Sequence, residues 1–346
     1  MLQDVSELPA CDPSRQMIEP PKSAKIFRVV HDDAPEVAAF RGAVAAIGNF
    51  DGVHRGHRAV IEAAVARAAA LASPSIAVTF EPHPRNVLRP SDPVFRLTDA
   101  RSKLRLLAAT GLDGALVLKF DKAFARLSAE DFVSRILVDR LGIRGATIGF
   151  DFHFGHQRRG SPSFLSQQGT HYGFTVETAP PLEDEGRPVS SSSIRAALVD
   201  GRVVEAAELL GYPWFAAGAV IKGDQRGRDL GFPTANVALD PNCGLKHGIY
   251  AVRVGIDGAI RDGVASFGTR PTFGNGAPLL ETYLFDFKGD LYGSAIDVAF
   301  MGWIRPELKF DSVEALIARM NDDVRLARLA LARAGNAFPP LGKVTG

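Results

Sequence analysis

Two histidines, His54 and His57, stand where Gly48-Asn49-Phe50-Asp51-Gly52-Val53-His54-Arg55-Gly56-His57 leads from a short apolar run into an alanine-rich one. The run Ala43 to Ile47 reads as a buried strand. Val60, Ala63, Ala64 and Ala68 are spaced as on a helix. At a helix entrance the free backbone N–H groups and the positive end of the dipole favour an anion. Imidazoles three positions apart project to one side of that first turn. There they can stabilise charge growing on phosphate oxygens during displacement at phosphorus. Gly48, Asn49, Phe50, Asp51, His54 and His57 are therefore candidates for holding a nucleotide triphosphate. A His-x-x-His pair also occurs as surface decoration or as a metal pair. Zinc is disfavoured because no Cys, Glu or third His stands nearby at ligand spacing.

Five further stretches carry chemistry. In Val189-Ser190-Ser191-Ser192-Ser193-Ile194-Arg195 a single serine would be an ordinary helix cap. Successive serines followed by an arginine make an anion seat, with Ser191, Ser192 and Arg195 as the candidates. Gly149-Phe150-Asp151-Phe152-His153-Phe154-Gly155 offers either a stacking wall or three core phenylalanines; Asp151, polar in an apolar context, is its functional candidate. Glu81-Pro82-His83-Pro84-Arg85 follows another strand, and Glu81, His83 and Arg85 could serve a second ligand. In the later half, the glycine-flanked basic loop Gly223-Asp224-Gln225-Arg226-Gly227-Arg228 runs towards Gly231-Phe232-Pro233-Thr234-Ala235-Asn236. If the chain is extended after Pro233, Thr234 and Asn236 share a side. They could coordinate Mg²⁺ together with phosphate oxygens, or merely face solvent. Glu281 shares its face with Tyr283, Phe285 and Phe287, and partial desolvation there suits a general base.

These residues need elements to position them. From Ile26 to about Leu210 short apolar runs alternate with helical segments: strands at Ser75 to Phe80, Ala115 to Leu118, Ala146 to Gly149 and Phe174 to Glu177, and helices from Asp99 to Ala109 and from a Ser128 cap to about Arg140. Such alternation implies a parallel sheet with helices on both faces. Ligands then sit beyond the carboxyl ends of the strands. After a helix from Arg202 to Leu210, closed by Gly211 and Pro213, the pattern changes to period two. Tyr250 to Val254 and Ile260 to Ala265 flank Asp257-Gly258, a hairpin signal. A similar arrangement is expected around Lys288-Gly289-Asp290, between Tyr283 to Phe287 and a strand from Leu291. An antiparallel barrel or sandwich follows. The stretch Ser312 to Arg333 reads as an amphipathic helix, with Val313, Leu316, Ile317, Met320, Val324 and Leu329 on the packed side. The expected organisation is a flexible extension (1–24), an α/β domain (25–210), a β domain (211–335) and a tail (336–346).

The 346 residues are 46% hydrophobic and 23% charged, a globular composition. Forty basic side chains balance 39 acidic ones, so no global field recruits nucleic acid or an anionic membrane. No apolar run approaches the ~20 residues that span a bilayer. Residues 1–24 lack the apolar core of a secretory signal. Cys11 and Cys243 are unlike a disulfide framework and fit a reducing, cytoplasmic setting. The expected partners are small molecules, and the expected state is a monomer or weak homo-oligomer.

The string His54-Arg55-Gly56-His57 in its setting resembles the signature of the nucleotidylyltransferase superfamily, in the form carried by bacterial bifunctional riboflavin kinase/FAD synthetases. Asp151 and the serine–arginine string resemble two further motifs of that group. The segment Pro233-Thr234-Ala235-Asn236, the string Gly268-Thr269-Arg270-Pro271-Thr272, the segment around Glu281, Leu291-Tyr292-Gly293 and Ile304-Arg305-Pro306-Glu307 resemble the riboflavin kinase module. The likeness covers roughly residues 25–335. It implies a Rossmann-like nucleotidylyltransferase domain followed by a kinase barrel. The barrel would phosphorylate riboflavin with ATP, and the first domain would join FMN to AMP to give FAD and pyrophosphate. The likeness also implies that Thr234 and Asn236 hold Mg-ATP, that Gly223, Arg228, Gly231, Pro233 and Arg270 line the kinase site, and that Glu281 deprotonates riboflavin. His54, His57, Arg195 and Mg²⁺ would stabilise charge in the adenylyl transfer, and Glu81, His83 and Arg85 would lie towards FMN. An alternative is that one domain is active while the other binds flavin or nucleotide as a regulator.

Overall fold

The structure, a computed structural model, describes residues 26–32, 34–184, 186–223, 227, 230–269 and 278–345. The expected extension, 1–24, and the candidates Arg228 and Arg270 lie outside the described residues. The described chain forms two compact units, one of residues 26–191 with 340–345 and the other of residues 192–339.

The first unit contains β1 (Phe27–His31), β2 (Val44–Ile47), α1 (Arg55–Ala70), β3 (Ser75–Glu81), α2 (Pro84–Leu88), α3 (Ala100–Ala108) and β4 (Gly114–Lys119). There follow α4 (Ala129–Asp131), β5 (Gly145–Gly149), α5 (Pro162–Tyr172), β6 (Thr175–Ala179) and a small hairpin of β7 (Glu183–Asp184) and β8 (Arg187–Pro188). β2 and most of β3 are buried on both faces, which is why they read as unbroken apolar runs. At the crossing of β1 and β4, a Cβ on Gly114 would lie 2.3 Å from the Arg28 carbonyl, so only glycine fits. Side-chain caps start the helices where the sequence places them: Asp99 accepts from Ser102 N at 2.7 Å, and Ser128 from Asp131 N at 3.0 Å. The helix expected to run to Arg140 does so with a different winding, since α4 passes into a π-helical stretch over Phe132–Arg140.

The chain crosses into the second unit on α6 (Ser191–Val199), then forms α7 (Val203–Leu210), β9 (Phe215–Ala219), β10 (Thr234–Ala238), β11 (Gly248–Ile256), β12 (Ala259–Thr269), β13 (Pro278–Leu284), β14 (Ala295–Arg305) and α8 (Val313–Arg333). It ends in β15 (Val344–Thr345), which belongs to the first unit. The first sheet is parallel throughout, in the order β15-β1-β4-β3-β2-β5-β6. The units divide at Ser191, ahead of the compositional change at 210, because the apolar face of α7 packs on β14.

The second sheet is antiparallel, in the order β10-β13-β12-β11-β14-β9. Its ends nearly meet: a Cβ on Gly218 of β9 would lie 2.4 Å from Val237 of β10, and Ile221 N donates to the Asn236 carbonyl at 2.8 Å. Val237, Leu280, Phe267, Tyr250, Val252 and Phe300 fill the interior. Asp257 (φ 49°) and Gly258 (φ 82°) make the β11–β12 turn. The pairing expected around Lys288-Gly289-Asp290 does not form. β13 pairs with β10 and β12, β14 with β11 and β9, and Phe285 N turns to the Asp262 carbonyl.

α8 packs against β11, β12 and β14, but its buried line is Asp323, Ala327 and Leu331, while Val313 and Leu329 are exposed. Leu316, Ile317, Met320 and Val324 of the expected stripe are half-buried beside that line, and what the stripe missed is its centre, a buried ion pair. Arg305 of β14 grips Asp323 through Nε at 2.8 Å and Nη2 at 2.6 Å. Arg253 of β11, also buried, donates to the carbonyls of Leu331 at 3.0 Å and Ala337 at 3.0 Å, at the negative end of α8.

Both tryptophans, Trp214 and Trp303, lie in the second unit, so their fluorescence reports on it alone. Asp323→Ala leaves Arg305 buried without its carboxylate and should destabilise this unit by about 3–5 kcal/mol, seen as a fall in the tryptophan-monitored urea midpoint. Deleting residues 340–346 removes β15 and the bond from Thr345 Oγ1 to the Phe27 carbonyl (3.0 Å). The amides of Phe27 to His31 should then exchange faster, by about 1–2 kcal/mol of lost protection, with that urea midpoint unchanged.

Candidate active sites

In the first sheet the chain order reverses between β2 and β5, and the crevice beyond their carboxyl ends is where such folds bind ligands. The loop from Gly48 to His54 leaves β2 at that point. It is a strained loop: Phe50 (φ 50°) and Val53 (φ 37°) sit in the left-handed region without being glycine, as does Gly52 (φ 85°). What holds it is Asp51. Its buried carboxylate accepts from Leu97 N at 3.1 Å, Thr98 N at 3.0 Å and Thr98 Oγ1 at 3.2 Å. Gly52 N donates to the same threonine hydroxyl at 3.2 Å. Phe50 and Asp51, expected to touch ATP, turn their side chains inward, so what they offer a ligand is backbone. Gly48 is half-buried, and Asn49 is exposed.

His54 is the N-cap of α1. Its Nδ1 accepts from His57 N at 3.2 Å, so that nitrogen carries no proton and Nε2 is the N–H donor. The two imidazoles stack with centroids 3.6 Å apart, and Phe50 meets His57 edge-on at 5.4 Å. Gly56 is small for a reason, since a Cβ there would press on the His54 ring at 3.2 Å. The serine string reaches the same loop: Ser191 Oγ donates to the Asp51 carbonyl at 3.0 Å. Ser192 and Arg195 follow on α6, exposed and half-buried respectively.

At the end of β5, Asp151 is exposed and its carbonyl is 2.9 Å from His153 Nδ1. Of the aromatics beside it, Phe154 is buried against Phe132 (5.3 Å), Phe152 stacks on Phe154 (5.4 Å), and Phe150 is exposed. The core reading therefore holds for Phe154. Glu81 at the end of β3 is engaged by Arg96 and by the buried Lys103, each at 2.7 Å. His83 caps α2, accepting from Arg85 N at 3.2 Å, and Arg85 pairs with Asp92 at 2.6 Å.

Beyond β3, β4 and β5 opens a cavity of about 520 Å³ with Leu88, Phe120, Phe124 and Phe132 as its apolar lining and Lys122, Arg126 and Arg158 among its charged ones. Apart from Gly155, no motif pointed to it, because its members come from separate stretches that follow three different strands. Lys103, Arg96 and Thr98 were missed likewise; the only available signal was a lysine inside an otherwise apolar helical stripe.

In the second unit, the register between β10 and β13 sets Thr234 opposite Tyr283 and Asn236 opposite Glu281, and Glu281 also faces Ser266 of β12. Directly opposed residues share a face, so Thr234, Asn236, Glu281 and Tyr283 form one patch on the outside of the strand layer. Glu281 and Tyr283 are half-buried there, and Phe232 meets the Tyr283 ring at 5.2 Å. The neighbouring Thr282 points into the interior and is buried. Gly223 lies over Asn236, where a Cβ would be 2.5 Å from the amide nitrogen. Gly231 takes φ 85°, and Pro233 is exposed before the strand. Among the described residues no three His, Cys, Asp or Glu side chains gather as a metal site. The hydroxyl of Thr234 and the amide oxygen of Asn236 are nonetheless the hard donors that suit Mg²⁺ shared with phosphate oxygens.

Both halves match known families. The family described as FAD synthetase matches residues 37–193, and that described as riboflavin kinase matches residues 210–331. A bifunctional riboflavin kinase/FMN adenylyltransferase of Pseudomonas fluorescens is 44% identical over 305 residues, 88% of this chain and 97% of the relative. The protein of that description in Escherichia coli (strain K12) is 39% identical over 307 residues, with the same coverage of 88% and 97%. A crystal structure described as a macrolide-efflux protein from Streptococcus pneumoniae shares the fold with a TM-score of 0.75 at 30% identity, covering 87% of this chain and 98% of that one. No helix among the described residues is long and apolar enough to cross a membrane. With two family matches in this order and relatives similar over almost their whole length, the chain belongs to the bifunctional riboflavin kinase/FMN adenylyltransferase family.

Proposed function

We propose that this bifunctional enzyme, which makes FMN from riboflavin and FAD from FMN, holds a separate ATP in each unit. In this reading the first unit opens the nucleotide at the α-phosphorus and the second at the γ-phosphorus. The observation that carries the first assignment is the bond from Ser191 to Asp51, which brings the start of α6 to the loop that ends at His54 and His57. The N-terminus of α1 and the Ser191 hydroxyl then serve one polyanion.

In adenylyl transfer a phosphate oxygen of FMN attacks the α-phosphorus of ATP, and the bond to the β-phosphate breaks to release pyrophosphate. The nucleophile is already anionic, so no protein base is needed. The loop N–H groups, His54 Nε2, His57 and Ser191 stabilise the charge that builds on the phosphate oxygens. The apolar cavity between Leu88 and Phe132 has the size of a small-molecule pocket and is offered here as the seat of the flavin ring, with Arg126, Lys122 and Arg158 towards its phosphate. Glu81 then serves as an internal anchor, and His83 and Arg85 flank the cavity through α2 rather than reaching into it.

In the kinase unit the riboflavin 5′-hydroxyl attacks the γ-phosphorus, Glu281 takes its proton, and ADP leaves. The half-buried position of Glu281 beside Tyr283 suits that work. Thr234 and Asn236 would hold Mg²⁺, which when bound neutralises phosphate charge. Gly223 itself lies close over the Asn236 amide. A cytoplasmic setting fits the scarcity of cysteine; the thiol of Cys243, pushed up to about 11 by burial, is no ready nucleophile.

His57→Ala should lower kcat for FAD formation about 10²–10³-fold with FMN formation retained, and Glu281→Ala should lower FMN formation about 10²–10⁴-fold with FAD formation from supplied FMN retained. Product chromatography of each reaction checks this, and equal loss of both activities in either variant would overturn the two-site reading. Arg126→Glu should raise KM for FMN in the adenylyl transfer about tenfold or more, leaving KM for ATP alone, in steady-state assays with each substrate varied.

A further inference from the structure

We propose that Lys103 is a positioning residue for adenylyl transfer: from beneath the β2 loop it fixes the Asn49 carbonyl to the end of β3, and so sets where the loop meets ATP. This rests on the placement of ATP at that loop given above. Lys103 stands on α3 and is 3% exposed. Its ammonium has three N–H groups and meets three oxygens: Glu81 Oε1 at 2.7 Å, the Phe80 carbonyl at 3.0 Å and the Asn49 carbonyl at 3.4 Å. Donors and acceptors match in number, which neither a hydroxyl nor an amide could achieve. Thr79 Oγ1 donates to the same Asn49 carbonyl at 3.2 Å, so that oxygen is held from two sides.

A charge this deep is costly unless it is paired. Glu81 supplies the counter-charge and is shared with Arg96, whose neighbours Leu97 and Thr98 bind the Asp51 carboxylate through their N–H groups. Lys103, Glu81, Arg96 and Asp51 thus brace both ends of the strained Asn49 to Gly52 stretch. Any buried ammonium must place its three donors; what distinguishes this one is where they go. Two of them go to backbone carbonyls where β2 and β3 release the chain into the site.

Burial lowers the Lys103 pKa from the ordinary lysine range; the Glu81 carboxylate raises it again, Arg96 lowers it and Asp51 raises it. As pH rises the ammonium loses a donor, and the hold on Asn49 weakens on the alkaline side.

The test uses the full-length protein with Lys103→Met, Lys103→Arg, Glu81→Gln and, as the reference for the site, His57→Ala. Lys103→Met should raise KM for ATP in FAD formation about tenfold, with the rate of FMN formation from riboflavin unchanged. Lys103→Arg, which does not titrate, should recover most of the affinity and move the alkaline limb of kcat/KM for ATP to higher pH. Should Lys103→Met fail to fold, Glu81→Gln carries the same expectation, a severalfold rise in that KM. An unchanged KM for ATP in the folded variants, or equal loss of both activities, sinks the proposal. If His57→Ala also leaves FAD formation intact, the placement of ATP is wrong; if it abolishes FAD formation while the Lys103 variants keep their KM, only the role of Lys103 is wrong.

Discussion

The first unit depends on the Asp51 carboxylate. Two non-glycine residues beside it, Phe50 and Val53, hold backbone conformations that cost of order 1–3 kcal/mol each. Hydrogen bonds to a charged acceptor contribute about 1.5–3 kcal/mol each, and the carboxylate accepts three while the Asp51 carbonyl accepts a fourth from Ser191. The hydrogen bonds outweigh the strain, and they come from Leu97, Thr98 and Ser191, so the loop is held by distant parts of its unit. A site assembled from stretches this far apart in the chain comes into being with the fold of its unit and not before it.

The kinase patch depends on register instead of strain. Glu281 lies outside the strand layer and Thr282 inside, so a slip of one residue between β10 and β13 would exchange them and bury a carboxylate in the barrel. Val237, Leu280 and Phe267, all buried on one row, oppose that slip. On the far strands the layer is fastened by buried arginines: Arg305 through Asp323, and Arg253 through the last carbonyls of α8. An open antiparallel sheet with one helix over it needs such fixings, since its two edge strands only approach each other.

Much of this was legible in the chain. Strands buried on both faces, such as β2 and β3, must be apolar without interruption, and the turn at Asp257-Gly258 advertises positive φ in its residue types. His54, His57, Ser191, Thr234, Asn236 and Glu281 could be picked out because chemistry at phosphorus needs such groups at the ends or faces of elements. Pairing partners were not legible. Lys288-Gly289-Asp290 looks like a hairpin tip, yet local turn chemistry says nothing about which strand lies next in the sheet, and β13 and β14 are not neighbours. Nor could the buried centre of the packed face of α8 be read, because Asp323 counts as a solvent-facing residue until Arg305, on another element, neutralises it. The internal partners of Glu81 were hidden in the same way: beside a histidine and an arginine it reads as a ligand contact, and Lys103 and Arg96, which it pairs with, come from a later stretch.

The contrast between the two sites follows from their nucleophiles. FMN brings an anion to a polyanion, so the first site must reduce repulsion. Its internal carboxylates, Asp51 and Glu81, are both turned onto N–H or cationic partners, while N–H groups, imidazoles and hydroxyls are presented at the strand ends. Riboflavin brings a neutral hydroxyl, so the second site needs a group to receive a proton, and there a half-buried carboxylate stands on the surface patch with Asn236 across from it. With acidic and basic side chains almost equal in number over the chain, this difference cannot arise from net charge. It arises from how single carboxylates are seated: Asp51 and Glu81 are turned onto N–H or cationic partners, and Glu281 is half-buried on the outer face of its strand.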